Sequence, residues 1–308
     1  MIQNFLTVFS QVMTLFFLMA LGFVFNKTGK LNREICKALS DIIVVFVAPC
    51  VIIKSFIRDY NPNMLKNLLI AIALSCVLHI LMIAISKLAF RGDEEKKRRV
   101  LTFASVFSNA GFISIPLQEA ILGTDGVFYG AAYLAIFNIF LWSFGIVEMS
   151  GDKSLITPKK LLVSPGIIGI LIGVILFAFS IKPPVVITSV IGHISALNLP
   201  IPMFIVGYYI AETDIFKAIK NSKLYLCLFL RLILYPMAAL LLFKLFNIDN
   251  MLAVSLILSV CAPVGATATM FSEKFDGDTA LSVELVSIST LFSLITMPII
   301  TAFCQTIF

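Results

Sequence analysis

The sequence predicts an all-α integral membrane protein, with ten transmembrane helices in two inverted five-helix repeats whose fourth and ninth helices are broken. Three observations lead there. Of 308 residues, 60% are hydrophobic and only 13% charged, a composition that a water-soluble globule of this length could not bury. The apolar residues fall into ten runs long enough to cross about 30 Å of hydrocarbon. Two of those runs, 154 positions apart, carry matching interruptions: Ser105-Val-Phe-Ser-Asn-Ala-Gly111 followed by Glu119 and Gly123, and Ser259-Val-Cys-Ala-Pro-Val-Gly265 followed by Glu273 and Gly277.

Taken in order, the runs cover residues 4–25, 33–56, 65–89, 100–120, 126–148, 161–181, 185–210, 223–246, 251–273 and 279–305. The first is expected to be retained as a helix, because Met1-Ile-Gln-Asn-Phe lacks a basic leader and no small-residue cleavage site follows. The second carries Asp41 and Ala48-Pro49. After the third comes the longest charged stretch, Arg91 to Arg99, nine residues and too short for a soluble domain. The fourth and ninth hold the matched interruptions, and the fifth holds Asn138. The seventh repeats the second at an offset of 153, laying Ile201-Pro202 on Ala48-Pro49. The eighth and tenth each bury one charge, Arg231 and Glu284.

Charge placement orients these runs. Loops after odd-numbered runs, with their flanks, hold seventeen Lys and Arg and even loops hold five. By the positive-inside rule the odd loops are cytoplasmic and both termini extracytoplasmic, in the cell membrane. The net charge of +6 therefore reflects orientation rather than nucleic-acid binding. Cys36, Cys50, Cys76, Cys227, Cys261 and Cys304 lie in or beside apolar runs, without the paired spacing of zinc sites or disulfide frameworks.

Five runs, an odd number, separate equivalent positions. Residues 1–150 and 151–308 are thus read as repeats of opposite orientation, the plan of many secondary transporters, whose interrupted helices mark the binding site. About ten residues precede Asn109 in its run, roughly 15 Å of helix, which puts the interruption near the membrane centre. Pro263 cannot donate to the helix ladder, and Gly111 and Gly265 ease unwinding. Beyond each break a new half-helix, near Phe112 and near Ala266, should present free amides and a positive dipole end. Two such ends form an anion site, with Ser108, Asn109, Thr267 and Thr269 as hydrogen-bond donors beside Gly111, Phe112, Pro263, Val264 and Gly265. Pro49, Pro116, Pro202 and Pro263 are expected hinges.

Ser108-Asn109-Ala-Gly-Phe-Ile-Ser-Ile-Pro116-Leu, Ala262-Pro263-Val-Gly265 with Met270-Phe-Ser-Glu-Lys-Phe275, and Leu31-Asn-Arg33 running to Ala48-Pro49 resemble the auxin efflux carrier family of bacterial permeases and plant PIN-type exporters. The resemblance covers nearly the whole chain. It implies crossed fourth and ninth helices, a scaffold of helices one, two, six and seven, an elevator-like movement of helices three to five and eight to ten, an organic-anion substrate such as a malate-like or auxin-like acid, and a homodimer. Asn109 matches the asparagine of the plant Pro-Asn-Thr motif, with Ser108 in the proline's place. The long cytoplasmic loop of the plant exporters is reduced here to residues 150–160.

Ionisable residues deep in a span are expensive and so are candidates for function. Asp41 reads either as a carrier of H⁺ or Na⁺ or as a buried, hydrogen-bonded carboxyl. Arg231 and Glu284 read as a structural pair, or Arg231 as a contact of the substrate carboxylate. Asn138 either reaches the cavity or packs on a neighbouring helix. His79 and His193 read chiefly as neutral hydrogen-bonding partners, and Glu119, Glu148 and Glu273 as interfacial residues. No cofactor is expected beyond H⁺ or Na⁺ as a coupling ion. Motifs for zinc or phosphate chemistry are absent, and for an intramembrane enzyme no spacing joins Ser108 or Asp41 to a histidine. The runner-up is a sodium-coupled symporter of the bile-acid type, which shares the crossed-helix plan and could hold Na⁺ at unwound carbonyls near Asn109 and Gly265.

Overall fold

A backbone crossing hydrocarbon must satisfy its own polar groups, and in the computed structural model all regular elements are helical across the described residues, 2–156 and 165–308. Among them, seven helices are long and apolar enough to cross a membrane, and two shorter apolar helices accompany them. The elements are α1 (Ile2–Lys27), α2 (Arg33–Phe56), α3 (Pro62–Ala89) and α4 (Glu95–Val106). The stretch Ala110–Ser150 bends at Gly123, whose φ of 67° is readily adopted only by glycine. Its two arms are α5 (residues 110–122) and α6 (residues 124–150). There follow α7 (Pro165–Ala178), α8 (Val185–Ala196), α9 (Pro200–Glu212), the short α10 (Ile215–Ile219), α11 (Lys223–Leu245), α12 (Asn250–Val260), α13 (Thr267–Lys274) and α14 (Thr279–Ile307).

Each of the ten apolar runs overlaps a helix, though the start of the sixth, residues 161–164, lies outside the described residues. Two details differ from expectation. The fourth and fifth runs are joined by the Gly123 bend rather than by a loop. The seventh divides at residues 197–199, ahead of Pro200 and Pro202, which have no amide hydrogen for the ladder.

Three other prolines are accommodated without a break. Widened π turns at Ile43–Val47, Ala110–Ser114 and Leu230–Leu234 run into Pro49, Pro116 and Pro236 respectively. A π turn makes room for the proline ring, which would otherwise clash with the carbonyl one turn earlier. Of the expected hinges, Pro49 and Pro116 therefore sit inside continuous helix, Pro202 in the first turn of α9, and Pro263 in an open break.

α1 lies along α9 and also packs on α14, and α2 packs on α7, α8 and the bent α5–α6 pair; α12 packs on that pair and on α14, and α3 on the pair and on α4. The α1–α9 seam is closed by glycine: a Cβ on Gly207 would strike the Met19 carbonyl, and one on Gly22 the Phe204 backbone. Small residues permit this approach where no hydrophobic effect drives helices together. Leu69, Ile80 and Leu88 of α3, Leu171 and Ile175 of α7, Leu241 and Leu245 of α11, and Ile295 and Ile299 of α14 point outward. Such an apolar girdle is suited to lipid and would aggregate in water.

Candidate functional site

Both interrupted runs are broken, and the breaks meet. After α4 the chain runs extended, and after α12 it turns through Pro263 and Gly265. Ser108 and Val264 form an antiparallel bridge, in which Asn109 N–H donates to Pro263 O at 2.7 Å and Gly265 N–H to Phe107 O at 3.0 Å. The Ser108 hydroxyl donates to Ser259 O at 2.9 Å, and Val264 N–H to Ser289 Oγ at 3.0 Å.

These bonds correct part of the sequence reading. The Ser108 hydroxyl is not left for a ligand, because a buried donor must find an acceptor: it and the Val264 amide are taken up by Ser259 and Ser289, while the amides of Asn109 and Gly265 close the bridge. The amides available to a ligand lie near Phe112 and Ala266. Ala110, Gly111 and Phe112 precede the first bond of α5, Ile113 N–H to Asn109 O at 3.0 Å; Ala266 and Thr267 precede that of α13, Ala268 N–H to Gly265 O at 2.9 Å. The first amides of a helix have no acceptor within it. Two side-chain atoms join them, since Asn109 Nδ2 and Thr267 Oγ1 are buried and lack partners among the described residues.

A cavity of about 200 Å³ adjoins the crossing. Of the sequence candidates, Ser108, Asn109, Gly111, Phe112, Asn138, Gly265 and Thr267 line it, joined by Ser40, Val44 and Ala48 of α2 and by an apolar wall of Leu134, Phe137, Leu141, Trp142, Met270 and Phe271. Pro263, Val264 and Thr269 are buried behind it, the Thr269 hydroxyl accepting from Ser282 Oγ at 3.4 Å. Asn138 donates to Leu134 O of its own helix at 2.8 Å.

The charges arrange themselves differently from expectation. Asp41 is exposed on α2 rather than buried, while its neighbour Ser40 faces the cavity. Arg231 does not pair with Glu284. Its guanidinium bonds backbone carbonyls of Ser105, Val106 and Val260, whereas Glu284 accepts from Asn221 Nδ2 at 3.0 Å. Separation on α11 and α14 was invisible in sequence because both charges sit at similar depth. His79 is buried, its Nδ1 2.8 Å from Ser75 O, and His193 is exposed.

Sequence reasoning missed several residues here. Gln118, fully buried, donates through Nε2 to Ser255 O and Ser259 Oγ, both at 2.8 Å, and so ties α5 to α12. An amide in an apolar run was the available signal. Glu119 and Glu273, read as interfacial, each meet an end of α2: Lys54 Nζ lies 2.7 Å from Glu119 and an Arg33 nitrogen 2.6 Å from Glu273.

The Pro263→Ala change should let α12 extend, turning the carbonyl of residue 263 into the helix and leaving Asn109 N–H without its acceptor. At about 1 kcal/mol per hydrogen bond, transport is expected to fall roughly five- to tenfold, with the melting temperature of the purified protein moved by only a few degrees. Uptake in vesicles set against a thermal melt checks this; unchanged uptake in a well-expressed variant contradicts it.

Comparison with known proteins agrees with this architecture. Residues 7–157 match the family described as membrane transport protein, and residues 196–308 match the sodium bile acid symporter family. An uncharacterized transporter of Methanothermobacter thermautotrophicus is 22% identical over 292 residues, 94% of this chain and 95% of that protein.

Proposed function

We infer, from a chain that joins a membrane-transport domain of the auxin efflux carrier family to a bile-acid-symporter-like domain, that this multi-pass membrane transporter carries a small organic anion through the crossing of its two broken spans. The observation that carries the reading is the cavity beside that crossing, which collects two helix starts and the Asn109 Nδ2 and Thr267 Oγ1 atoms, without partners among the described residues. Helix starts favour negative charge. The opposite wall is apolar and aromatic, Phe137, Trp142 and Phe271 among it, which suits a monocarboxylate with a hydrophobic body over a malate-like dicarboxylate.

In this reading the chain crosses the bilayer ten times, α4 with α5, α8 with α9 and α12 with α13 each counting once, as two inverted repeats covering residues 1–150 and 151–308. Both termini are extracytoplasmic in the cell membrane. The group α1, α2, α7, α8 and α9 is the fixed scaffold, and the other helices slide against it as an elevator. A homodimer through the scaffold is part of the same reading.

The test is uptake into proteoliposomes of labelled indole-3-acetate, benzoate and malate, with and without Na⁺ and pH gradients. Uptake of the aromatic acids above malate supports the reading, and uptake of none of the three, in vesicles with intact protein, removes it. The bile-acid-symporter match over residues 196–308 favours one alternative, a Na⁺-coupled symporter. Uptake that requires an inward Na⁺ gradient would select it.

An elevator stroke must break the ion pairs that hold α2 and the turn after it to the moving helices, Arg33–Glu273, Lys54–Glu119 and Arg58–Asp125. Each is partly exposed, Lys54 at 37% and Glu119 at 34%, and such pairs contribute about 0.2–1 kcal/mol. Glu119→Gln is accordingly expected to change the exchange rate by no more than about fivefold with affinity unchanged. Counterflow kinetics at several substrate concentrations checks this, and a shifted half-saturation point contradicts it.

A further inference from the structure

Arg231 is the least expected feature of the interior. It is fully buried within the π turn Leu230–Leu234 of α11, and such turns often mark functional positions. Nη1 donates to Val106 O at 2.9 Å and Ser105 O at 3.2 Å, and Nη2 donates to Val260 O. Val106 is the last residue of α4 and Val260 the last of α12. One guanidinium therefore joins the C-terminal ends of both upstream half-helices, immediately behind the crossing.

The charges nearly cancel. A helix C-terminus carries about half a negative charge, so two such ends offset one guanidinium. An unpaired cation inside a membrane protein is otherwise costly. Tyr235, with its ring centroid 5.8 Å from the guanidinium carbon, and Met82 Sδ at 3.8 Å close the pocket around it.

In carriers coupled to Na⁺, carbonyls freed by unwound helices and half-helix C-termini coordinate the metal. Here the residues do not fit that ion, because the end carbonyls on both sides already accept from Arg231. We propose that Arg231 is a built-in counter-cation of the crossing, taking the place of a metal ion at these carbonyls and neutralising the two negative helix ends that would otherwise face a bound anion. The inference rests on the crossing as binding region only for its last consequence; the charge balance itself stands without any substrate.

Thermal melts of the purified full-length chain test it with no organic anion present. Wild type is expected to melt at the same temperature in choline chloride and sodium chloride. Arg231→Ala should lose on the order of 5–10 °C and regain most of it in millimolar ethylguanidinium, which replaces the deleted atoms. Arg231→Met, whose side chain fills the space without charge, should be destabilised and gain nothing from ethylguanidinium. A saturable stabilisation of wild type by Na⁺ overturns the proposal, as does an equal response of the Ala and Met variants to ethylguanidinium. If Arg231→Ala does not fold, the sodium titration of wild type alone decides. Absence of uptake of any acid tried, beside these melts, would remove the substrate reading and leave the counter-cation intact.

Discussion

Asn109→Ala is expected to abolish most transport while the protein continues to fold. Asn109 stands where the chain leaves the extended bridge and enters α5, is 4% exposed, and directs into the cavity wall a side-chain Nδ2 with no partner among the described residues. Its backbone holds the crossing through Pro263, and alanine keeps that bond. In the proposed reading, what is lost is a donor to the ligand. A hydrogen bond to a charged group is worth about 1.5–3 kcal/mol, so affinity or uptake should drop roughly ten- to hundredfold. Removing a buried amide that has no protein partner should leave the melting temperature unchanged or slightly raised, because no acceptor is orphaned. Measured together, a cold melt and full transport would place the ligand elsewhere, and a collapsed melt would make Asn109 a structural residue.

Gly207→Leu should prevent assembly. At Gly207 the α9 backbone meets α1 so closely that a Cβ would strike the Met19 carbonyl, with Phe23 N 2.8 Å away. Both contacts are backbone, so no side chain can swing aside. Separating the helices forfeits the dispersion contacts that hold them in lipid, and overpacking of this kind costs about 1–3 kcal/mol or more. Gly207→Leu is expected to give little monodisperse protein on size-exclusion chromatography, Gly207→Ala a reduced yield, and Gly192→Ala none of this effect, since a Cβ there meets nothing within 4 Å. Wild-type yield from Gly207→Leu would show that α1 and α9 do not touch in the membrane.

The large features were legible before any coordinates because each follows from local chemistry. An apolar run in lipid has only the helix available to it, so the ten runs all overlap helices. Pro263 and Gly265 cannot continue a helix cheaply, so the second break was visible. The first was visible at Asn109-Ala110-Gly111 only beside its counterpart 154 residues away. Ionic partners were harder. Glu119 and Glu273 read as interfacial because they sit at equivalent ends of the broken spans, yet Lys54 and Arg33 reach them from α2. Asp41 read as buried because its run is apolar, and proved exposed because Ser40, one residue away on the helix, takes the inward direction.

Sequence by itself determined that the chain is a helical membrane transporter and where two of its spans fail, since solvent and backbone geometry act residue by residue. Tertiary structure alone decided which polar groups remain for a ligand. Ser108 offered a hydroxyl on paper, but bringing the breaks together gave it to the Ser259 carbonyl and set the amides of Asn109 and Gly265 on carbonyls of the opposite break, and the carbonyls left at Val106 and Val260 went to Arg231 from a third helix. A hydrogen bond needs two partners in register, and that pairing belongs to the packing of distant segments rather than to either segment.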